Sequence, residues 1–149
     1  MNLHNKSILK NAVDYLKSLH FEPENIMVTG SIALNLQGLL ESRPVHDADF
    51  IVKMDDETWR SLKLLEAIES DDEGKKKLSY CRNKKIVFLK NGEMMINIWR
   101  HDDFTDWSDI KDADTGVRVA SVSHILKVKK LYGRDKDYKD INEIAKELL

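Results

Sequence analysis

Apolar residues at Ile8, Leu9, Ala12, Val13, Leu16 and Leu19 recur at helical spacing and predict a first helix that ends before Pro23. Residues 26–29, Ile-Met-Val-Thr, read as a short strand ended by Gly30-Ser31. Ile32, Ala33, Leu36 and Leu39 then open a second helix, with Ser31 predicted as its N-cap. Residues 38–44 read as a turn or irregular connection. Residues 47–53 predict a strand with Ala48, Phe50 and Val52 on the buried face and Asp47, Asp49 and Ile51 opposite. Asp55-Asp56-Glu57-Thr58 marks a helix start, and Trp59, Leu62, Leu65 and Ile68 form the stripe that follows. A charged loop over 70–77 and a strand over 78–82 come next.

Asn91-Gly92 lies between two apolar runs, the strongest short signal for a β-hairpin. A two-residue turn there pairs Lys90 with Glu93, Phe88 with Met95 and Ile86 with Asn97. Met94, Ile96 and Ile98 then share the core face, and Glu93, Met95, Asn97 and Trp99 share the other. Val119, Val122, Ile125, Leu126 and Leu131 include a helical pattern stopped by Gly133. Tyr138, Ile141, Ile144, Ala145 and Leu148 predict a final amphipathic helix. With no internal repeat and no low-complexity linker, residues 1–149 read as a single α/β (α+β) domain.

Composition narrows this picture only a little. The 149 residues suffice for one domain with a core, and 42% hydrophobic content excludes a disordered chain. The 24 basic and 26 acidic side chains nearly cancel, so net charge gives no reason to expect nucleic acid or an acidic membrane as partner. Charge is clustered all the same. Acid dominates 102–114, apart from Lys111, and base dominates 127–134, which leaves room for a local anion-binding surface. No apolar run approaches the ~20 residues of a membrane span, and no signal-peptide core follows the N-terminus, so the cytoplasm is the expected compartment. The single cysteine, Cys81, reads as a small buried hydrophobe, and the five methionines read as core filler.

Two patterns carry chemistry. Glycine permits close backbone approach, and a helix N-terminus aims unpaired N–H groups at an anion, so Gly30-Ser31 is a candidate phosphate cradle. In a strand, residues i and i+2 share a face, so Asp47 and Asp49 can bind the same divalent ions. A phosphate cradle beside a dicarboxylate suggests metal-assisted phosphoryl or nucleotidyl transfer. Other residues have bland readings beside functional ones. Arg43 is either a phosphate contact or part of a solvated loop, and Lys129 either serves a nucleotide cleft or is an ion-pair partner. Asp137 and Asp140 read as structural ion pairs. His46 reads as a bystander, since an oxygen-rich site favours Mg²⁺. Lys84, opposite Trp99 in the expected register, reads as a stem covering a packed ring.

These residues resemble the polymerase-beta-like nucleotidyltransferase superfamily, especially its small bacterial members and abortive-infection-type toxins. Gly30-Ser31 is similar to that family's Gly-Ser turn, and Asp47-Ala48-Asp49-Phe50 to its Asp-x-Asp followed by an apolar residue. Ala33-Leu34, Arg43, and Lys129 with Gly133-Arg134-Asp135-Lys136-Asp137 through Asp140-Ile141 resemble further motifs of the toxin-like branch. The resemblance implies a nucleotidyltransferase-like mixed β-sheet with helices packed against it and C-terminal helices. It implies a nucleoside triphosphate as donor, Mg²⁺ (or Mn²⁺) as cofactor, and transfer of a nucleoside monophosphate to an acceptor with loss of pyrophosphate. By that analogy Asp47 and Asp49 hold the metals, and Gly30, Ser31, Arg43 and Lys129 contact the nucleotide.

One position departs from the family pattern. Such members carry a third carboxylate where this chain has Asn97. An amide oxygen is a weak neutral ligand and no general base at neutral pH. Glu93 faces the same way but lies ~13 Å along the strand, too far to replace it. Asn97 therefore separates two readings: an active nucleotidyltransferase, and a catalytically impaired relative acting through nucleotide or partner binding in a defence or toxin–antitoxin setting. A plain metal-binding regulatory domain is a third. Small molecule, RNA and protein all stay open as acceptor, as do the base preference and the oligomeric state.

Overall fold

In chain order the elements are α1 (Leu3–Ser18), a 3₁₀ turn (Pro23–Asn25), β1 (Ile26–Thr29), α2 (Gly30–Leu36), β2 (Asp47–Val52), α3 (Asp56–Glu69), β3 (Ile86–Asn91), β4 (Met94–Arg100), β5 (Arg118–Val119), α4 (Val122–Tyr132) and α5 (Asp135–Leu148). The structure, a computed structural model, describes residues 1–69, 86–103 and 105–149. The strand expected over 78–82, with Cys81, and the partner Lys84 lie outside the described residues. The strands form one mixed sheet in the order β3-β4-β2-β1-β5. β3/β4 and β2/β1 pair antiparallel, and β4/β2 and β1/β5 pair parallel. The fold is mixed α/β, with two helices at its C-terminal end. Among the described residues no helix is long and apolar enough to cross a membrane.

β2 is the third of five strands, and its alternation fixes what it exposes. Ala48, Phe50 and Val52 are buried completely, whereas Asp47 and Asp49 on the other face are only partly covered. Ile96 and Ile98 of β4 join the buried set, as do Leu9, Ala12, Val13 and Leu16 of α1. The second face is not open, however. Ile51, Met95 and Asn97 are each less than a tenth exposed, because that face is itself packed over.

The hairpin differs from its expected register. Asn91 pairs with Met94, Phe88 with Asn97 and Ile86 with Trp99, so the loop residues are Gly92 and Glu93. An Asn-Gly type I′ turn needs positive φ at both residues, whereas type II′ needs it only at the first. Gly92 at φ +66° supplies that one position. The register shift is two residues, so the two faces of β4 are as expected.

The outer strand β3 is tied to α3 by a carboxylate. Glu66, 7% exposed, accepts a 2.6 Å hydrogen bond from the backbone N–H of Phe88. Burial raises the Glu66 carboxyl above its ordinary range, against the Phe88 hydrogen bond and Lys63, which pull it down. The α3 stripe therefore runs through Trp59, Leu62 and Glu66, while Ile68, expected in it, is 74% exposed. Glu66→Ala removes a hydrogen bond to a charged acceptor and should cost about 1.5–3 kcal/mol in urea unfolding. A loss below a few tenths would remove Glu66 as the tie.

Candidate functional site

The loop between α2 and β2 delivers the two aspartates, and its backbone is held from both termini of the chain. Asn5 on α1, fully buried, donates to the Arg43 carbonyl and accepts from the Val45 N–H. From α5, Glu147 accepts from the Leu40 N–H at 2.8 Å, and Asp140 and Glu143 bind the Arg43 guanidinium. Asp140, Glu143 and Glu147 are three and four residues apart, one stripe of a helix. The chain then enters β2 at Asp47.

Asp49 is the centre of the site. In the sheet it lies between Thr29 of β1 and Asn97 of β4. Asn97 donates from Nδ2 to Asp49 Oδ1 at 2.7 Å. The other oxygen faces Gly30: a Cβ placed on Gly30 would stand 2.5 Å from Asp49 Oδ2. Gly30 has φ +65°, in the left-handed region, and makes the turn from β1 into α2. The glycine is thus required twice, by its backbone angle and by the carboxylate against it.

The electrostatics follow from this packing. Burial, the largest influence, and the neighbouring charge of Asp47 push the Asp49 carboxyl above the usual range, while the Asn97 hydrogen bond and the charges of Lys129 and Lys136 act downward. Lys129 on α4 and Lys136 on α5 are therefore within electrostatic reach of Asp49. Lys136 is exposed at the start of α5.

The other expected site residues are distributed as follows. Ser31 does not cap α2. The helix begins at Gly30, with Thr29 at the cap position and no side-chain cap bond, because the turn is completed two residues earlier than the pattern predicts. Ser31 is exposed. Arg43 is not in a solvated loop but is bound to Asp140 and Glu143. Lys129 is bound to Asp140 at 2.8 Å. The structure thus gives both basic residues a carboxylate partner on α5, and Asp140 is the ion-pairing residue the sequence suggested. Asp137, 1% exposed, likewise binds Arg134 at 2.6 Å. His46 is exposed beside Asp47, and Glu93 sits in the hairpin loop.

The residues at hand suit a hard divalent cation. Asp47 and Asp49 are two carboxylates on one face, and Asn97 Oδ1 is a buried acceptor with no hydrogen-bond partner. Asn97 as a whole is 7% exposed, so that oxygen is withheld from bulk water. An all-oxygen set with few protein ligands is the kind that Mg²⁺ accepts, its remaining positions filled by water and phosphate. Among the described residues no three His, Cys, Asp or Glu side chains converge, so the dicarboxylate has no third acidic partner. Two further buried polar side chains, Asn35 on α2 and His124 on α4, also lack partners for the atoms left over, Oδ1 and Nδ2 of Asn35 and Nε2 of His124. Their positions within apolar helical stripes hid them from a reading by periodicity. No family model and no curated protein matches the chain.

Proposed function

We propose that this chain is a Mg²⁺-dependent nucleotidyltransferase-like protein that binds a nucleoside triphosphate and passes its nucleoside monophosphate to an acceptor. Asp47 and Asp49 would hold the cation. The observation that supports the reading is the partly buried Asp49 carboxylate wedged between Gly30 and Asn97, beside Asp47 and an unpartnered amide oxygen. When bound there, a divalent ion supplies neutralising charge to the triphosphate and its leaving group. Gly30 keeps the backbone low beside Asp49, and Lys129 and Lys136 add positive charge around it. In transfer, an acceptor oxygen bonds to the α-phosphorus while the bond to the bridging oxygen breaks. Pyrophosphate departs with that electron pair, and the acceptor's proton passes to water.

A second reading is favoured by Asn97 itself. An amide cannot take the acceptor's proton at neutral pH. On this reading the chain keeps nucleotide binding and has lost efficient transfer, acting through a partner instead.

Purified protein incubated with Mg²⁺ or Mn²⁺, labelled triphosphates and candidate acceptors tests both. Labelled acceptor supports the first reading, and saturable triphosphate binding without transfer supports the second. Asp47→Asn combined with Asp49→Asn should abolish metal-dependent binding while circular dichroism is unchanged. Unaltered binding in that double variant would remove the site assignment.

A further inference from the structure

We infer that this site takes one divalent cation per chain, not two, because Asn97 turns an N–H towards the carboxylate that a second ion would need. The inference rests on the reading of Asp47 and Asp49 as a metal site. Two-metal sites hold their ions about 4 Å apart, close enough for the two oxygens of one carboxylate to serve both. Asp49, on the central strand, is the carboxylate that adjoins Asn97. Its Oδ1, however, receives Nδ2 of Asn97 at 2.7 Å, which leaves Oδ2, beside Gly30, as the oxygen open to a cation. A cation at Oδ1 would face an amide donor, which repels it.

Charge points the same way. Asp47 and Asp49 together balance one divalent ion. Among the described residues no third acidic or His/Cys ligand joins them to hold a second. The remaining atom, Asn97 Oδ1, is buried, neutral and without a partner, so it adds no charge to hold a second ion. A one-ion site assists the triphosphate and leaves the acceptor without a metal of its own.

Equilibrium dialysis of the whole chain against Mn²⁺ tests this, with inorganic tripolyphosphate present as a phosphate probe independent of any base. Bound manganese per chain is the readout. The natural protein should saturate at one ion and the Asn97→Asp variant at two. Two ions on the natural protein would overturn the inference and leave the metal-site reading standing. No bound ion, with or without tripolyphosphate, would remove that reading and the inference with it. A folded Asn97→Asp variant that still binds one ion would show that Asn97 does not set the number. If that variant does not fold, electron paramagnetic resonance of Mn²⁺ on the natural protein decides. The six-line signal of an isolated ion supports the inference, and a spin-coupled pair overturns it.

Discussion

Gly30→Val should destabilise the protein by about 3–5 kcal/mol and, on the proposed metal site, weaken Mn²⁺ binding. Two effects add. A side chain at φ +65° is strained, on the order of 1–3 kcal/mol, and a β-branched one most of all. In addition the new Cβ would stand 2.5 Å from Asp49 Oδ2, so the carboxylate must move and its 2.7 Å bond from Asn97 must stretch or break. A hydrogen bond to a charged group is worth roughly 1.5–3 kcal/mol. For a chain near this length the total amounts to a fall in Tm of roughly 10 °C. Gly92→Val is the matched control. Gly92 has nearly the same angle, φ +66°, but nothing lies within 4 Å of an added Cβ. It bears the backbone strain alone. Urea unfolding of both variants therefore isolates the contact with Asp49. Equal losses would mean that Asp49 swings aside freely and that Gly30 is needed only for the turn.

The parts of this arrangement that were readable in the sequence are those set by local periodicity. The β2 alternation placed Asp47 and Asp49 together on the less buried face, and the i, i+3, i+4 spacing of Leu9, Ala12, Val13 and Leu16 gave the buried side of α1. Gly133 stops α4 at φ +59°, as a glycine after an apolar helix should. The sequence predicts the hairpin but sets its turn one residue early, because Asn-Gly satisfies a type I′ pattern while Gly92 alone satisfies type II′. The neighbourhood of Asp49 and Asn97 depends on a parallel pairing between β2 and β4, which no local pattern encodes. In α5 the helix is as the spacing predicts, but its buried face is not. The stripe Tyr138, Ile141, Ile144, Ala145 and Leu148 buries Ile144, yet Tyr138 is 52% and Leu148 60% exposed. The buried residues are Asp137, Asp140 and Ile144. A hydrophobic pattern cannot anticipate an inward carboxylate whose partner, Arg43, lies nearly a hundred residues earlier.

That inward carboxylate yields the second large effect. Asp140→Ala should cost about 3–5 kcal/mol, the loss seen when one partner of a buried pair is removed. Asp140 is 6% exposed and accepts from Lys129 at 2.8 Å and from Arg43 at 2.6 Å. Lys129, with a side chain 14% exposed, would lose its carboxylate in a place poor in water. Arg43 is more exposed and still has Glu143, so its share is discounted for solvent screening. Asp140→Asn can still accept one hydrogen bond and should lose less. The dependence on pH separates charge from shape. Burial alone pushes the Asp140 carboxyl upward, but the Lys129 and Arg43 hydrogen bonds prevail and hold it below the ordinary carboxylate range. A carboxylate with a depressed folded pKa contributes fully above the unfolded value of about 3.9, and that contribution is lost as pH falls through the folded value. The stability gap between the natural protein and Asp140→Asn should therefore be widest near neutrality and close in acid. Urea unfolding at pH 7, 5 and 3 measures it, and a gap that did not change with pH would assign the role of Asp140 to packing instead of charge. Manganese binding by the same variants completes the argument. Asp140 fixes Arg43 in the loop that leads into β2, so its removal should loosen Asp47 and Asp49 and, on the proposed metal site, weaken Mn²⁺ binding without Asp140 being a ligand.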